Sequence, residues 1–152
     1  MSSKSGKFAA STDVPVERSR AEIEAILQRY GAEQFMSGWS NNRAVIAFHC
    51  KGRQIRFTLE LPSRTEVPEK MPGVAPQYRE GVIEQRIRQR WRALALCIKA
   101  KLEAVETGIS QFEEEFLANI VMPDKKTLAE HALPVVEAAY ASGKMQPLLP
   151  HF

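Results

Sequence analysis

The apolar and polar positions along the chain predict one helix, three strands and then further helices. Over residues 17–30 the apolar side chains recur at helical spacing, which predicts a first helix in this range. The positions that carry this pattern are Ile23, Ile26, Leu27 and Tyr30. Gly31 follows directly, and glycine commonly ends helices because it has no Cβ and tolerates positive φ.

Three short runs have the character of β-strands, namely Gln34–Trp39, Arg43–Cys50 and Arg53–Leu61. In the third run, apolar residues at odd positions alternate with polar residues at even positions, so that one face packs on a core and the other meets water. The joining segments Ser40–Asn42 and Lys51–Gly52 contain asparagine and glycine, which supply the positive φ of tight hairpins. We therefore predict a three-stranded antiparallel meander.

Residues 62–77 contain four prolines and Gly73, a composition that opposes both helix and sheet hydrogen bonding and predicts a long loop. Three helices are predicted after it, at about Tyr78–Thr107, Ser110–Val121 and Thr127–Ser142. The first of them would extend about 45 Å, which is longer than a three-stranded sheet can cover. One of its ends is therefore expected to pack on the later helices or on another subunit.

These elements predict a single α+β domain over residues 14–146, with a flexible N-terminal segment at 1–13, the proline-rich loop at 62–77 and an apolar tail at 147–152. A length of 152 residues suits one domain. The apolar fraction of 44% and the charged fraction of 26% are typical of globular proteins. No apolar run approaches the ~20 residues of a membrane span, so we expect no membrane partner.

Cysteine content and the N-terminus predict the compartment. The first residues are polar and are not followed by a hydrophobic signal core, which argues against secretion. Cys50 and Cys97 are too few for a disulfide framework and are expected to be buried thiols, in agreement with a reducing cytoplasm.

Charge is distributed unevenly. The net charge of +3 is small, but residues 79–101 carry seven basic and two acidic side chains, whereas residues 103–124 carry six acidic and no basic ones. On a helical wheel, basic residues 88, 92 and 99 fall on one flank of the apolar stripe and residues 79, 86 and 90 on the other. The basic cluster predicted to contact phosphates is Arg79, Arg86, Arg88, Arg90, Arg92, Lys99 and Lys101. The alternatives are a solvated surface whose basic groups pair with the chain's own acids, or an oligomer interface.

A second basic set, Arg43, Lys51, Arg53 and Arg56, lies on or beside the predicted sheet. We add Arg53 and Arg56 to the predicted nucleic-acid contacts, although their opposite parity places them on different faces of the strand. Basic residues at a sheet edge also serve to prevent pairing with other chains.

Several residue types suggest chemistry that their spacing does not support. Phe35 and Trp39 are interpreted as core residues, with stacking on nucleic-acid bases as the alternative. Residues Glu113–Glu115 point around a helix and do not converge on a cation. The three histidines have no zinc-ligand spacing. Because no catalytic or phosphate-loop motif is present, we predict no enzyme activity, no metal site and no cofactor.

A family resemblance covers most of the chain. Its motifs are VPVERSRAEIE at 14–24, RYGA at 29–32, RWRALAL at 90–96, IKAKLEAV at 98–105 and FEEEFLA at 112–118. Together they resemble a family of small uncharacterised proteins of phages and prophages. The resemblance implies a phage-type context and the cytoplasm of a bacterial host, and it carries no catalytic residue.

The order of helix, three strands and a helix with a basic first half is also similar in outline to double-stranded-RNA-binding domains, which contact mainly backbone and 2′-hydroxyls. This sequence departs from that module in two places. The hairpin after Trp39 is short and lacks a histidine, and the linker before the second helix is long.

The sequence therefore predicts a phage-type accessory protein that binds nucleic acid, DNA rather than RNA, non-specifically through backbone phosphates. The alternative is a protein–protein interaction module without a nucleic-acid role, either a homo-oligomer or an inhibitor of a host protein. In that alternative the basic and acidic segments pair between subunits.

Overall fold

A computed structural model describes residues 12–62 and 70–147 and confirms the predicted α+β architecture. Most of the predicted flexible segment at 1–13, the middle of the proline-rich loop and most of the apolar tail lie outside the described residues. The helices and strands are α1 Val16–Arg29, β1 Gln34–Ser40, β2 Arg43–Cys50, β3 Arg53–Glu60, α2 Arg79–Glu106, α3 Phe112–Glu115 and α4 Leu128–Ser142. The end of the predicted loop forms a short 3₁₀ turn at Pro76–Tyr78, directly before α2.

The three strands form an antiparallel sheet in the order β1-β2-β3, as predicted. Asn41 has a φ of 54° and Gly52 a φ of 74° in the two hairpin turns, as the tight connections require. Ser40 pairs with Arg43, and Arg43 pairs with Glu60, so the β1–β2 turn and the end of β3 lie at the same end of the sheet.

Both long helices cover one face of the sheet and run in the same direction. Glu22 in the middle of α1 meets Arg92 of α2, and Tyr30 after the end of α1 meets Glu106 at the end of α2. The sheet residues that face these helices are buried, and they form one core with the helix residues Ile23, Leu27, Trp91, Ile98 and Leu102. At 28 residues α2 is about 42 Å long, against about 27 Å for the eight residues of β3.

Phe116 closes the core at the end where α2 meets α3. Its side chain is fully buried and makes edge-to-face contacts with Phe48 and Phe57, at ring-centroid distances of 6.0 and 6.2 Å. Its ring also lies 4.9 Å from that of Phe112. Lys101 near the end of α2 contacts Glu115 of α3, so the C-terminal part of α2 packs on a later helix, as its excess length predicted.

The predicted helix at Ser110–Val121 is much shorter than expected. It consists of the four residues of α3 and a 3₁₀ turn at Leu117–Asn119, and its N-cap is Gln111 instead of Ser110. Ile120 bridges to Ile55, and the Val121 N–H donates to the Gln54 carbonyl oxygen, 2.8 Å away. These bonds supply partners for the outer edge of β3, which is why the helix stops before them.

Helix α4 is attached to the rest of the molecule by its first turn. Thr127 and Glu130 form a capping box, and the Leu128 N–H donates to the Ile120 carbonyl oxygen. His131 Nε2 lies 2.7 Å from Asp124 Oδ2. None of the 15 residues of α4 is buried, so the rest of this helix projects from the domain.

Two further expectations concern single residues and the membrane. Cys50 is buried as predicted, but Cys97 is exposed, because it lies on the outer side of α2.

Among the residues that the structure describes, no helix combines the length and the apolar character that a membrane crossing needs.

Candidate nucleic-acid interface

One of the two basic flanks predicted on α2 faces α1. Arg92 forms an ion pair with Glu22 of α1. Arg88 donates through Nε and one terminal nitrogen to the Gln85 side-chain oxygen, and Gln85 in turn donates to the Thr12 carbonyl oxygen. Arg92 therefore holds the two helices together, while no carboxylate of the described residues pairs with Arg88.

Lys99, on the same flank, lies in a recess between the ends of α1 and α2. The other residues lining it are Ile26, Arg29, Tyr30, Glu103 and Glu106. The Tyr30 hydroxyl donates a hydrogen bond to the Glu106 carboxylate, which raises the pKa of that tyrosine above its ordinary value. The mixture of basic and acidic groups gives this recess no strong preference for a polyanion.

The opposite flank of α2 stays accessible. Arg90 is exposed, and its Nε donates to the Glu60 carbonyl oxygen at the end of β3, 3.0 Å away. Arg86 is half-buried, lies one helical turn before Arg90 and has no ion-pair partner among residues 12–62 and 70–147. Arg79, at the start of the helix, makes an interaction of its own. The accessible flank thus presents Arg86 and Arg90 beside the end of the sheet.

Lys101 is held by the acidic segment instead of facing an external anion. Its Nζ lies 3.0 Å from the Glu115 carbonyl oxygen and 3.5 Å from a carboxylate oxygen of the same residue. The ammonium group also lies 5.7 Å from the ring centroid of Phe116, a favourable cation–π arrangement. These contacts hold the C-terminal end of α2 against α3 and the residue that follows it.

The two arginines predicted on the sheet also have partners within the chain. Arg53 pairs with Glu113 at 3.2 Å. Arg56 pairs with Glu130 at 3.3 Å and donates to the Lys125 carbonyl oxygen at 2.9 Å. Glu113 of the acidic segment and Glu130 of α4 therefore neutralise basic groups of their own chain, as in the alternative of a surface whose basic groups pair with the chain's own acids.

The expectation that Trp39 belongs to the core is wrong. Its side chain is 77% exposed, although its cross-strand neighbours Ala44 and Leu59 are buried. Phe35, four residues earlier on the same face, is half-buried and packs against the core. The cause is the edge position of β1, because the helical layer covers β2 and β3 and leaves the end of β1 uncovered.

No family model, curated protein or solved structure matches this chain. The site is therefore assigned from its own geometry.

Trp39 and the accessible arginines lie at one end of the sheet and on the same face. Trp39 precedes Ser40, which pairs with Arg43, and Arg43 pairs with Glu60, whose carbonyl oxygen accepts from Arg90. Two strand spacings, about 10 Å, separate β1 from β3. This surface, which we call the sheet-end surface, consists of Trp39, Arg86 and Arg90, while Arg88 lies on the flank of α2 that faces α1. Its chemistry is that of an aromatic platform beside cationic groups, a combination that binds nucleic acid.

Proposed function

We propose that this chain is a phage-type accessory protein that binds nucleic acid non-specifically through the sheet-end surface, with DNA as the expected partner. The supporting observation is that no carboxylate of the described residues pairs with Arg86 or Arg90. Guanidinium groups in this condition bind backbone phosphates, with release of condensed counterions. The phage context and the bacterial cytoplasm come from the sequence resemblance and belong to the same proposal.

The proposed contact set is smaller than the sequence suggested. Arg92, Lys101, Arg53 and Arg56 each pair with a carboxylate of the same chain. Releasing any of these groups to bind a phosphate would leave its acidic partner without a counter-charge. With two contacts to phosphates, the logarithm of the binding constant should fall with the logarithm of salt concentration at a slope of about −1.4 to −1.8.

Fluorescence anisotropy with labelled single-stranded DNA, duplex DNA and RNA, from 25 mM salt upwards, tests the proposal. The double variant Arg86→Glu/Arg90→Glu should show no binding even at 25 mM salt, where phosphate contacts are strongest. A matched control is Lys126→Glu/Lys144→Glu, which changes the net charge equally at two exposed lysines near the ends of α4. The proposal fails if the wild-type chain binds none of the three probes, or if both variants lose affinity to the same extent.

A protein-interaction role is the second candidate, and helix α4 is the observation that favours it. This helix is apolar, yet Leu133 is 64% exposed, Val136 39% and Tyr140 89%. The three residues stand at i, i+3 and i+7 and so form one stripe. A 15-residue helix that contains Pro134 has little stability of its own in water, and an isologous contact with α4 of a second copy would cover the stripe.

Light scattering over a range of protein and salt concentrations tests this role. An apolar α4 contact should persist or strengthen in sulfate, whereas a dimer held by opposite charges should dissociate. Leu133→Ser/Tyr140→Ser should lower the average mass, and Ile109→Ser is the matched control because Ile109 is 84% exposed outside α4. A monomeric mass for the wild-type chain at all concentrations would exclude the homo-oligomer.

A further inference from the structure

Trp39 is the most exposed of the large side chains on the sheet. A tryptophan normally buries most of its surface, but this one is 77% exposed at the end of an edge strand. The other tryptophan, Trp91, is only 5% exposed and belongs to the core. Trp39 therefore offers an indole face that no described part of the chain covers.

The backbone that carries Trp39 is held firmly. β1 pairs with β2 along its whole length, and Trp39 itself pairs with Ala44. On the same face of β1 the preceding side chain is the small Ser37, so the strand itself places no bulky group over the ring. An aromatic ring with open surroundings on a fixed backbone is suited to stacking, because no backbone has to be ordered when a second ring packs on it.

We propose that Trp39 stacks on an unpaired base and that the ligand of the sheet-end surface is single-stranded nucleic acid. This inference rests on the proposed function, since Arg86 and Arg90 supply the neighbouring phosphate contacts. Stacking on a side chain requires a base whose face is free. The bases inside a duplex stack on each other, whereas a single strand can turn its bases outward onto aromatic residues.

The arginines and Trp39 are expected to bind different parts of a nucleotide, because phosphates attract cations and bases stack on aromatic rings. The arginines on α2 meet the backbone, and the indole on β1, at the same end of the sheet, meets a base. Every base has a π-face, so stacking adds affinity without sequence preference. The proposed binding therefore remains independent of base sequence, and its ligand is single-stranded nucleic acid.

Titration with a 12-residue oligothymidylate and with a duplex of the same length tests the inference, with tryptophan fluorescence and anisotropy as the two signals. Because Trp91 is buried, quenching by the oligonucleotide reports on Trp39. The wild-type chain should bind the single strand more tightly and show quenching with it. Trp39→Ser should lower that affinity about tenfold, within the range for loss of one stacked base, while the salt slope stays unchanged. Trp39→Phe should retain part of the affinity and lose the quenching.

The outcomes separate this inference from the proposed function. If Trp39→Ser binds oligothymidylate as well as the wild-type chain, or if the duplex binds equally well and no quenching occurs, stacking is excluded while binding through the arginines stands. If no probe binds at 25 mM salt, both proposals fail. Unchanged thermal unfolding of Trp39→Ser is the folding control, since the exposed indole contributes little to the core.

Discussion

Arg92 of α2 and Glu22 of α1 form an ion pair across the helix interface although they stand 70 positions apart in the sequence. Their side chains are 23% and 32% exposed, so water screens this pair less than an exposed pair such as Arg43–Glu60, whose side chains are 64% and 57% exposed. Arg92, a predicted nucleic-acid contact, therefore stabilises the packing of α1 on α2. We expect substitution of Arg92 to change the stability of the domain, and substitution of Arg86 and Arg90 to change binding.

Reversing the charge of Arg92 should destabilise the domain instead of acting on binding alone. We expect Arg92→Glu to lower the free energy of unfolding by about 2 kcal/mol, between the values for exposed and buried pairs. The exchange Glu22→Arg/Arg92→Glu should restore most of it. Urea unfolding followed by circular dichroism measures both. Arg86→Glu serves as the control and should change stability by less than about 0.5 kcal/mol; equal losses in the two single variants would contradict the assignment.

Phe116 should be the most sensitive position of the C-terminal half. Truncation to alanine removes a fully buried ring that contacts three other phenylalanines, and such changes cost about 3–5 kcal/mol. The neighbouring Leu117 is 49% exposed, so Leu117→Ala should cost much less. Chemical unfolding of both variants tests the difference, and similar losses would show that Phe116 does not close the core.

Replacing Ser19 should stabilise the protein. Its side chain is completely buried, and its Oγ has no hydrogen-bond partner among the described residues. Removing such a hydroxyl in Ser19→Ala should raise the free energy of unfolding by about 1 kcal/mol, with a smaller gain from helix propensity. Gln28→Ala at an exposed position of α1 measures the propensity effect alone. A destabilised Ser19→Ala variant would mean that the hydroxyl has a partner such as bound water.

Stability should depend on Asp124 in a pH-sensitive way. The hydrogen bond from His131, together with the Lys126 N–H, holds the pKa of this carboxyl below its ordinary value. A lowered pKa in the folded state stabilises the protein above about pH 4 and ceases to do so as acid protonates the group. Asp124→Asn should therefore have a lower Tm than the wild-type chain at pH 7, and this difference should shrink as the pH falls below about 4. A constant difference between the two proteins would refute this.

The two thiols should react at very different rates. Cys97 is exposed, whereas Cys50 is buried, and burial raises the pKa of the Cys50 thiol so that less thiolate forms. With Ellman's reagent at pH 8 we expect one rapid equivalent per chain, and Cys97→Ser should remove it. The second equivalent should appear only under unfolding conditions. Two rapid equivalents in the native wild-type protein would show that Cys50 is accessible.

The elements were predictable from local patterns because each strand and long helix has its own periodicity. The break in the predicted helix at Ser110–Val121 was not, since Ile120 and Val121 leave the helix to pair with the edge of β3, a contact between distant segments. The alternation in β3 likewise identified its buried face correctly.

The accessibility of the candidate site was predicted less well than its composition. The sequence located the basic residues but could not show that Glu22 would neutralise Arg92 or that Glu115 would hold Lys101. Trp39 has the apolar character of a core residue, and only its place at the end of an edge strand explains its exposure. In both cases the deciding fact is which segments become neighbours in space.

The parallel course of α1 and α2 has a consequence for biosynthesis. Helices at the two ends of the meander become neighbours only after the strands between them have been made, and their contacts close loops of about 70 residues or more. During synthesis from the N-terminus, α1 therefore leaves the ribosome long before its partner helix exists. We expect its apolar face to stay exposed until α2 has emerged, which makes the nascent chain a candidate client for chaperones that bind amphipathic helices.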